Sequence, residues 1–132
     1  GVELRLACSE IMRKKGHAEK TGCAEITPAF NLPCRYVIHT VGPVISGEPT
    51  ESDCELLRSC YISCLKKADE YRLKNIAFCC ISTGVFHFPN GKAAETAIAA
   101  VKNYKAETQS KIKVIFNVFK DKDLEIYRRL LG

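Results

Sequence analysis

The chain has 132 residues, which is enough for one domain with a single hydrophobic core and too few for two. Hydrophobic residues make up 46% and charged residues 27% of the sequence, a balance that excludes disordered and low-complexity classes. Twenty basic and fifteen acidic residues give a net charge of +5. Because this charge is spread along the chain, it disfavours a dedicated nucleic-acid domain. No apolar run approaches the roughly 20 residues of a membrane span, so no membrane partner is predicted.

Two strands and a helix are predicted in the first third of the chain. Residues 2–15 place apolar side chains on one helical face, and Gly16 follows as a stop signal. Residues 23–30 and 35–41 are then predicted to be strands, joined through residues 31–33.

A long helix is predicted next, because Ser52 and Glu55 have the spacing of a capping box. Its apolar positions recur with the helical period and predict one buried stripe. The residues of that stripe are Leu57, Cys60, Tyr61, Cys64, Leu65 and Ala68.

The second half of the chain alternates strands with helices. Residues 75–82 are almost all apolar, as in a strand that is covered on both faces of a parallel sheet. The remaining predicted elements are a loop (82–90), a helix (91–105) with Ala94, Ala97, Ile98 and Val101 inward, a strand (112–119) and a helix (124–131) capped by Asp121. This order predicts an α/β fold with a mixed, mainly parallel sheet and helices on both faces.

Eight cysteines are present, namely Cys8, Cys23, Cys34, Cys54, Cys60, Cys64, Cys79 and Cys80. None belongs to a Cys-x-x-Cys pair, and several stand where a small apolar residue would serve. We therefore expect reduced thiols and a cytoplasmic location, with a redox or metal role as the alternative.

The predicted sheet indicates where a ligand would bind. Ligands of open α/β sheets bind beyond the carboxyl ends of the parallel strands, so residues 82–90 and 119–123 should lie close together. The first loop leads into a helix and can direct backbone N–H groups at an anion such as phosphate. Gly84 allows close approach, and Phe86, Phe88 and Phe119 offer faces for a ribose or a base, although core packing explains such aromatics equally well.

The three histidines differ in what they indicate. His39 alternates within the second strand and is expected to be structural, and His17 lies in a polar loop. His87 lies inside the candidate anion loop, where protonation near neutral pH could add positive charge. No Cys, His and carboxylate grouping has metal-ligand spacing, and no nucleophile has a base within its own motif, so no catalytic or metal residue is predicted.

Four strings of the sequence, in this order, resemble the macro domain family: residues 21–27, 31–33, 36–43 and 76–86. The amino-acid sequence of residues 79–90 is most similar to that of the zinc-dependent microbial branch of the family. The resemblance implies a three-layer macro-type domain over residues 1–132 that binds ADP-ribose. The branch it is similar to removes mono-ADP-ribose from modified proteins.

The resemblance also implies which residues touch the ligand. The loop amides would hold the diphosphate, and the end of the last strand would lie near the adenine. The implied ADP-ribose contacts are Ser82, Thr83, Gly84, Val85, Phe86, His87, Asn117 and Phe119.

The chain departs from the family pattern at its beginning. Family members carry an N-terminal strand with a ribose loop, a glycine-rich or Cys/His-bearing loop and an acidic adenine contact, and none of these is found here. In the zinc branch the metal ligands belong to that segment, so zinc would be held by residues absent from this chain. Because the strand would lie between those at 36–41 and 75–82, we expect a truncated domain. Its gap would be filled by a segment in cis or in trans, or closed by re-pairing.

Three functions stay open. The first is the ADP-ribose-binding part of a protein mono-ADP-ribosyl hydrolase, inactive without its catalytic segment. The second is a non-catalytic reader of ADP-ribosylated proteins. The third is a basic surface for nucleic acid or protein, which the net charge favours only weakly.

Overall fold

The computed structural model describes residues 6, 7, 10, 20–118 and 120–132. Their elements are β1 (Ala24–Pro28), β2 (Tyr36–Thr40), α1 (Glu51–Glu70), β3 (Asn75–Phe78), α2 (Asn90–Thr108), β4 (Lys113–Phe116) and α3 (Asp121–Leu131). A short 3-10 turn, Gly84–Phe86, lies between β3 and α2. The helix predicted over residues 2–15 falls largely outside the described residues.

The four strands form two separate pairs. β1 and β2 are antiparallel, with Ala24 opposite Thr40, because the short connection between them allows only a hairpin. β3 and β4 are parallel, with Asn75 opposite Lys113, and α2 makes the crossover. The predicted α/β class with mixed strand directions is confirmed, although parallel pairing is not in the majority among the described strands.

Helix α1 supplies much of the core. All six residues of its predicted stripe are buried, with Leu57, Cys60 and Leu65 wholly inaccessible. The predicted capping box is wrong by two residues, because Thr50 is the N-cap. The Thr50 hydroxyl accepts the Asp53 N–H at 3.1 Å, and the Asp53 carboxylate accepts the Thr50 N–H at 2.8 Å.

Helices α2 and α3 extend this core. The four residues of α2 that were predicted to point inward, Ala94, Ala97, Ile98 and Val101, are all buried. α3 packs on α2 through Tyr127. The prediction that Asp121 caps α3 is wrong, because Lys120 is the N-cap and Asp121 is the first helical residue. At that position its negative carboxylate still interacts favourably with the positive end of the helix dipole.

A chain of aromatic rings joins helices α1 and α3 to one face of the β3–β4 pair. Tyr61 of α1 packs on Phe78 with ring centroids 4.8 Å apart, and Phe116 packs on Tyr127 of α3 at 4.9 Å. Phe78 and Phe116 lie side by side on β3 and β4. The opposite face of the pair, which carries Ala77 and Ile115, is exposed among the described residues.

Strands β3 and β4 are shorter than predicted. The final backbone bond between them runs from the Asn117 N–H to the Phe78 carbonyl at 2.7 Å. Beyond it the chain bends, and Ser82 takes a left-handed φ of 67°. In the described part of the chain no ladder joins β2 to β3, and a cleft of about 1120 Å³ separates them.

Candidate functional site

The loop at residues 82–87 has an unusual concentration of left-handed backbone. Ser82, Gly84 and His87 have φ values of 67°, 71° and 66°. Non-glycine residues in this region carry strain, which persists where the surroundings hold it and often marks a functional segment. At Gly84 an added Cβ would meet nothing within 4 Å, so its backbone angle rather than a shortage of space favours glycine.

Internal hydrogen bonds hold this loop in shape. The His87 N–H donates to the Gly84 carbonyl and the Phe88 N–H donates to the Ser82 carbonyl, both at 2.9 Å. The Ile45 N–H donates to the Phe86 carbonyl at 2.8 Å and ties the loop to the segment after β2. The loop is therefore anchored at both of its ends.

Four consecutive amides of the loop have no backbone partner in the described structure. No backbone bond there takes the N–H of Ser82, Thr83, Gly84 or Val85 as donor. These residues begin a helical turn, where N–H groups have no partner within the turn. Successive backbone N–H groups in such a bend favour an anion, so the anion site predicted for this loop stays a prediction that this backbone can accommodate.

The loop separates two clefts. Ser82, Thr83 and Phe86 line the larger one between β2 and β3. Phe88, which was also predicted to offer a face to the ligand, borders the smaller cleft but is buried in the core. Thr83, Gly84, His87 and Asn117 line a smaller cleft of about 420 Å³. Among the predicted contacts, the structure thus brings Asn117 to the loop. Phe119 and the side chain of Val85 lie outside the described parts.

Sequence reasoning missed three polar residues of the smaller cleft. Asn90 begins α2, while Lys120 and Asp123 belong to the start of α3. The Asn90 amide donates to the buried Asp123 carboxylate and fixes the two helix N-termini beside the loop. Their dipoles and Lys120 favour a negative ligand, which Asp123 partly opposes. Asn90 and Asp123 are the last residues of the two loops, 82–90 and 119–123, that were predicted to lie close together, although the bond between them was not predicted.

Ser82 is tightly confined against Gly42. A Cβ on Gly42 would overlap the Ser82 Oγ and lie 2.8 Å from the Ile81 Cγ2. The Ser82 hydroxyl is buried and has no hydrogen-bond partner among the described residues. Buried polar atoms without a partner are rare, so this one calls for an explanation.

Burial favours the neutral forms of two thiols and one histidine near the clefts. Burial raises the pKa of Cys64 to about 12 and also raises that of Cys80, so both are protonated near neutral pH. Burial lowers the pKa of His39, whose Nε2 lies 3.0 Å from the Thr27 hydroxyl. His39 therefore has the structural setting that the sequence predicted.

The described residues do not offer a zinc site. No group of three His, Cys, Asp or Glu side chains among them is placed to hold a metal ion. The seven cysteines of the described ranges are all free. Of the helices that the structure describes, none has the length and apolar character needed to cross a membrane.

Comparison with known proteins shows which sequences and folds this chain is similar to. A protein-ADP-ribose hydrolase of Treponema medium is 58% identical over 132 residues, which are 100% of this chain and 51% of that protein. This chain thus spans about half the length of such relatives. The Oceanobacillus iheyensis macrodomain with ADP superposes with a TM-score of 0.90 and 34% identity over 99% of this chain and 69% of that one.

A Trypanosoma brucei macrodomain in complex with ADP-ribose superposes on 100% of this chain and 56% of its own, with a TM-score of 0.79 and 31% identity. The family model described as Macro domain matches residues 1–97, which is well over half of the sequence. The chain therefore belongs to the macro domain family.

Proposed function

We propose that this chain is the ADP-ribose-holding part of a protein-ADP-ribose hydrolase. The observation that carries the proposal is the run of free amides at Thr83, Gly84 and Val85 in an anchored bend. A diphosphate carries the charge that such amides favour. Support also comes from the hydrolase name of the Treponema medium relative and from the macrodomain bound to ADP-ribose.

The proposed contacts divide by chemistry. The amides of Ser82, Thr83, Gly84, Val85 and Phe86 surround the diphosphate, and the His87 side chain lies at the rim of the smaller cleft. Asn117 and Phe119 follow β4 and are proposed to lie beside the adenosine. This arrangement orients the ligand, and orientation of a reactant contributes to catalysis by removing entropy before the chemical step.

The whole protein is proposed to cleave the bond that joins ADP-ribose to a modified side chain. Water adds to the anomeric carbon of the distal ribose, and the side chain leaves with a proton. Any zinc of the zinc-dependent branch would be held by residues that this chain does not include. The partner is then an ADP-ribosylated protein, and the free thiols support a cytoplasmic location.

Calorimetric titration with ADP-ribose tests the site. The wild-type chain should bind, and Gly84→Glu should weaken binding by roughly 100-fold or more, because a carboxylate would lie where the diphosphate binds. Gly47→Glu is a matched control, because Gly47 also has a positive φ with nothing within 4 Å and lies outside both clefts. Equal affinities of the two variants would place the ligand elsewhere.

A non-catalytic ADP-ribose reader is the second candidate, because the described loop offers amide donors for a diphosphate and recognition alone needs no catalytic residue. The two functions separate in one assay. An ADP-ribosylated protein is incubated with the chain, alone and together with the half of the Treponema medium relative that lies outside the match. Release of free ADP-ribose supports the hydrolase, whereas binding with an intact substrate in both mixtures supports the reader.

A further inference from the structure

The smaller cleft contains a buried carboxylate beside groups that favour anions. Asp123 lines this cleft and is only 6% exposed. Lys120 lines it too, but its side chain is exposed to solvent. Solvent and salt screen an exposed charge strongly and a buried charge much less. The electrostatic field at the buried end of the cleft is therefore determined by the Asp123 carboxylate more than by the Lys120 ammonium group.

The Asp123 carboxylate has an oxygen left for a ligand. The Asn90 amide donates to its Oδ1 and fixes the orientation of the carboxylate. In the part of the chain that the structure describes, no hydrogen bond uses the second oxygen, Oδ2. Both oxygens of a carboxylate accept hydrogen bonds, so Oδ2 is an acceptor within a cleft whose other polar groups include backbone donors.

The residues around this cleft correspond to successive parts of the proposed ligand. Thr83 and Gly84 line the cleft from the loop, and their amides are proposed to hold the diphosphate. Asn117 lines it from the end of β4 and is proposed to lie beside the adenosine. A ribose joins the diphosphate to the adenine in ADP-ribose. A ligand that contacts both the loop and Asn117 therefore places this adenosine ribose in the cleft that Asp123 lines.

A carboxylate distinguishes a hydroxyl group from a phosphate at this position. A ribose hydroxyl donates a hydrogen bond to the carboxylate, and such charge-assisted bonds are stronger than neutral ones. A phosphate in its place is negatively charged, so it repels the carboxylate, and this repulsion is large where water is excluded. Acidic residues of dinucleotide-binding folds select an unphosphorylated ribose by the same chemistry.

We propose that Asp123 makes the site selective for ADP-ribose whose adenosine ribose is unphosphorylated. The carboxylate accepts a hydrogen bond from a ribose hydroxyl and excludes a ligand that carries a 2′-phosphate. This inference rests on the proposed function and specifies its substrate class. Proteins modified with ADP-ribose are substrates or ligands, whereas proteins modified with the 2′-phosphorylated form are not.

A purely structural role of Asp123 predicts a different outcome. Its carboxylate lies in the first turn of α3, where it interacts favourably with the helix dipole. That interaction stabilises the helix and does not distinguish one ligand from another. Asp121 provides a matched control, because it lies in the same turn, is exposed and lines neither cleft.

Calorimetric titration of the wild-type chain with two ligands tests the selectivity. The ligands are ADP-ribose and ADP-ribose 2′-phosphate, and we expect the phosphorylated ligand to bind roughly 100-fold more weakly. Equal or tighter binding of the phosphorylated ligand would overturn the inference and assign the dominant charge to Lys120. If ADP-ribose itself does not bind, the proposed function fails together with this inference. Binding of ADP-ribose without discrimination refutes the inference alone.

Asp123→Asn and Asp121→Asn identify the residue responsible. Asn at position 123 keeps the size of the side chain and an acceptor oxygen but removes the charge. The ratio of the two affinities should fall below about 5-fold, chiefly because the phosphorylated ligand binds more tightly. A gain in affinity for one ligand is not expected from a loss of helix stability. Asp121→Asn should keep the wild-type ratio.

Two results with these variants contradict the inference. The first is a wild-type affinity ratio in Asp123→Asn, and the second is an equal fall of the ratio in Asp121→Asn, which would indicate a general effect of net charge. Circular dichroism establishes that each variant is folded before titration. The comparison of the two ligands on the wild-type chain remains decisive even if Asp123→Asn does not fold.

Discussion

The interface between α1 and α2 and the loop at residues 82–87 are built in opposite ways. In the interface Leu57, Leu65 and Ala97 are wholly inaccessible to solvent. In the loop three residues have left-handed backbone, and Gly84 has open space where a side chain would be. The interface gains stability from close packing, whereas the loop leaves backbone donors without a partner in the described structure.

This difference separates stability from recognition within one small domain. Substitutions in the interface should unfold the protein and leave the affinity of the folded fraction unchanged. Substitutions in the loop should lower the affinity for the ligand and leave the stability of the fold unchanged. Gly42 supports the loop, because its missing side chain makes room for Ser82 at the start of the loop.

The largest expected effect is a loss of stability in the interface. Leu65→Ala should lower the free energy of unfolding by about 2 to 5 kcal/mol, because it leaves a cavity in a fully buried site. Urea denaturation followed by circular dichroism measures this change. Leu131→Ala is the control, because Leu131 is 53% exposed and its truncation should have little effect. A similar loss of unfolding free energy in both variants would contradict the view that stability resides in the buried interface.

Gly42→Ala should lower both the stability of the fold and the affinity for ADP-ribose. The added methyl group would overlap the Ser82 hydroxyl, and such overpacking costs about 1 to 3 kcal/mol. ADP-ribose affinity should fall as well, because Ser82 would be displaced. Denaturation and calorimetric titration check the two effects.

A double-mutant cycle sharpens that expectation. Ser82→Gly removes the overlapping hydroxyl and also relieves the left-handed backbone at φ 67°. The combination with Gly42→Ala should therefore recover part of the lost stability. Additive losses from the two substitutions would show that the contact between them is not the cause.

The start of α1 gives a smaller effect. Thr50→Ala should lower the free energy of unfolding by about 1 kcal/mol, because it removes the side chain that accepts the Asp53 N–H. Ser52→Ala should change it by less than about 0.5 kcal/mol, since Ser52 lies inside the helix and is exposed. The urea midpoints of the two variants show whether Thr50 or Ser52 acts as the N-cap.

The smallest expected effect is a pH dependence from His39. Burial lowers the pKa of His39 in the folded state below its ordinary value of 6.5, so the unfolded chain binds more protons as the solution becomes acidic. Stability should consequently fall as the pH drops through 6.5. Urea midpoints at several pH values measure the slope, and His39→Gln should flatten it. An unchanged slope in that variant would assign the effect to other groups.

The sequence predicted the regular packing well, because periodicity reports it directly. All six stripe residues of α1 and all four inward residues of α2 were identified from helical spacing. The cap of α1 was misplaced because Thr50 with Asp53 and Ser52 with Glu55 offer the same signal two residues apart. Only the extended backbone conformation at Thr50 distinguishes the two possible capping boxes.

The ends of strands and the composition of the site were less predictable. β3 ends at Phe78, where hydrogen bonding to β4 ends, although the apolar run continues to Ile81. Pairing is a property of two segments and cannot be read from one. For the same reason the Asn90 to Asp123 bond was missed, since its partners are far apart in the chain. The loop itself was found because glycine and a strand-to-helix turn form a local signal.

The ring chain from Tyr61 through Phe78 and Phe116 to Tyr127 has a practical consequence for spectroscopy. The sequence contains no tryptophan, so tyrosine dominates its near-ultraviolet absorption. Two tyrosines sit at the ends of this chain, where the asymmetric field of neighbouring rings gives circular dichroism bands that a free side chain lacks. The intensity of those bands should therefore follow the docking of α1 and α3 without any attached dye.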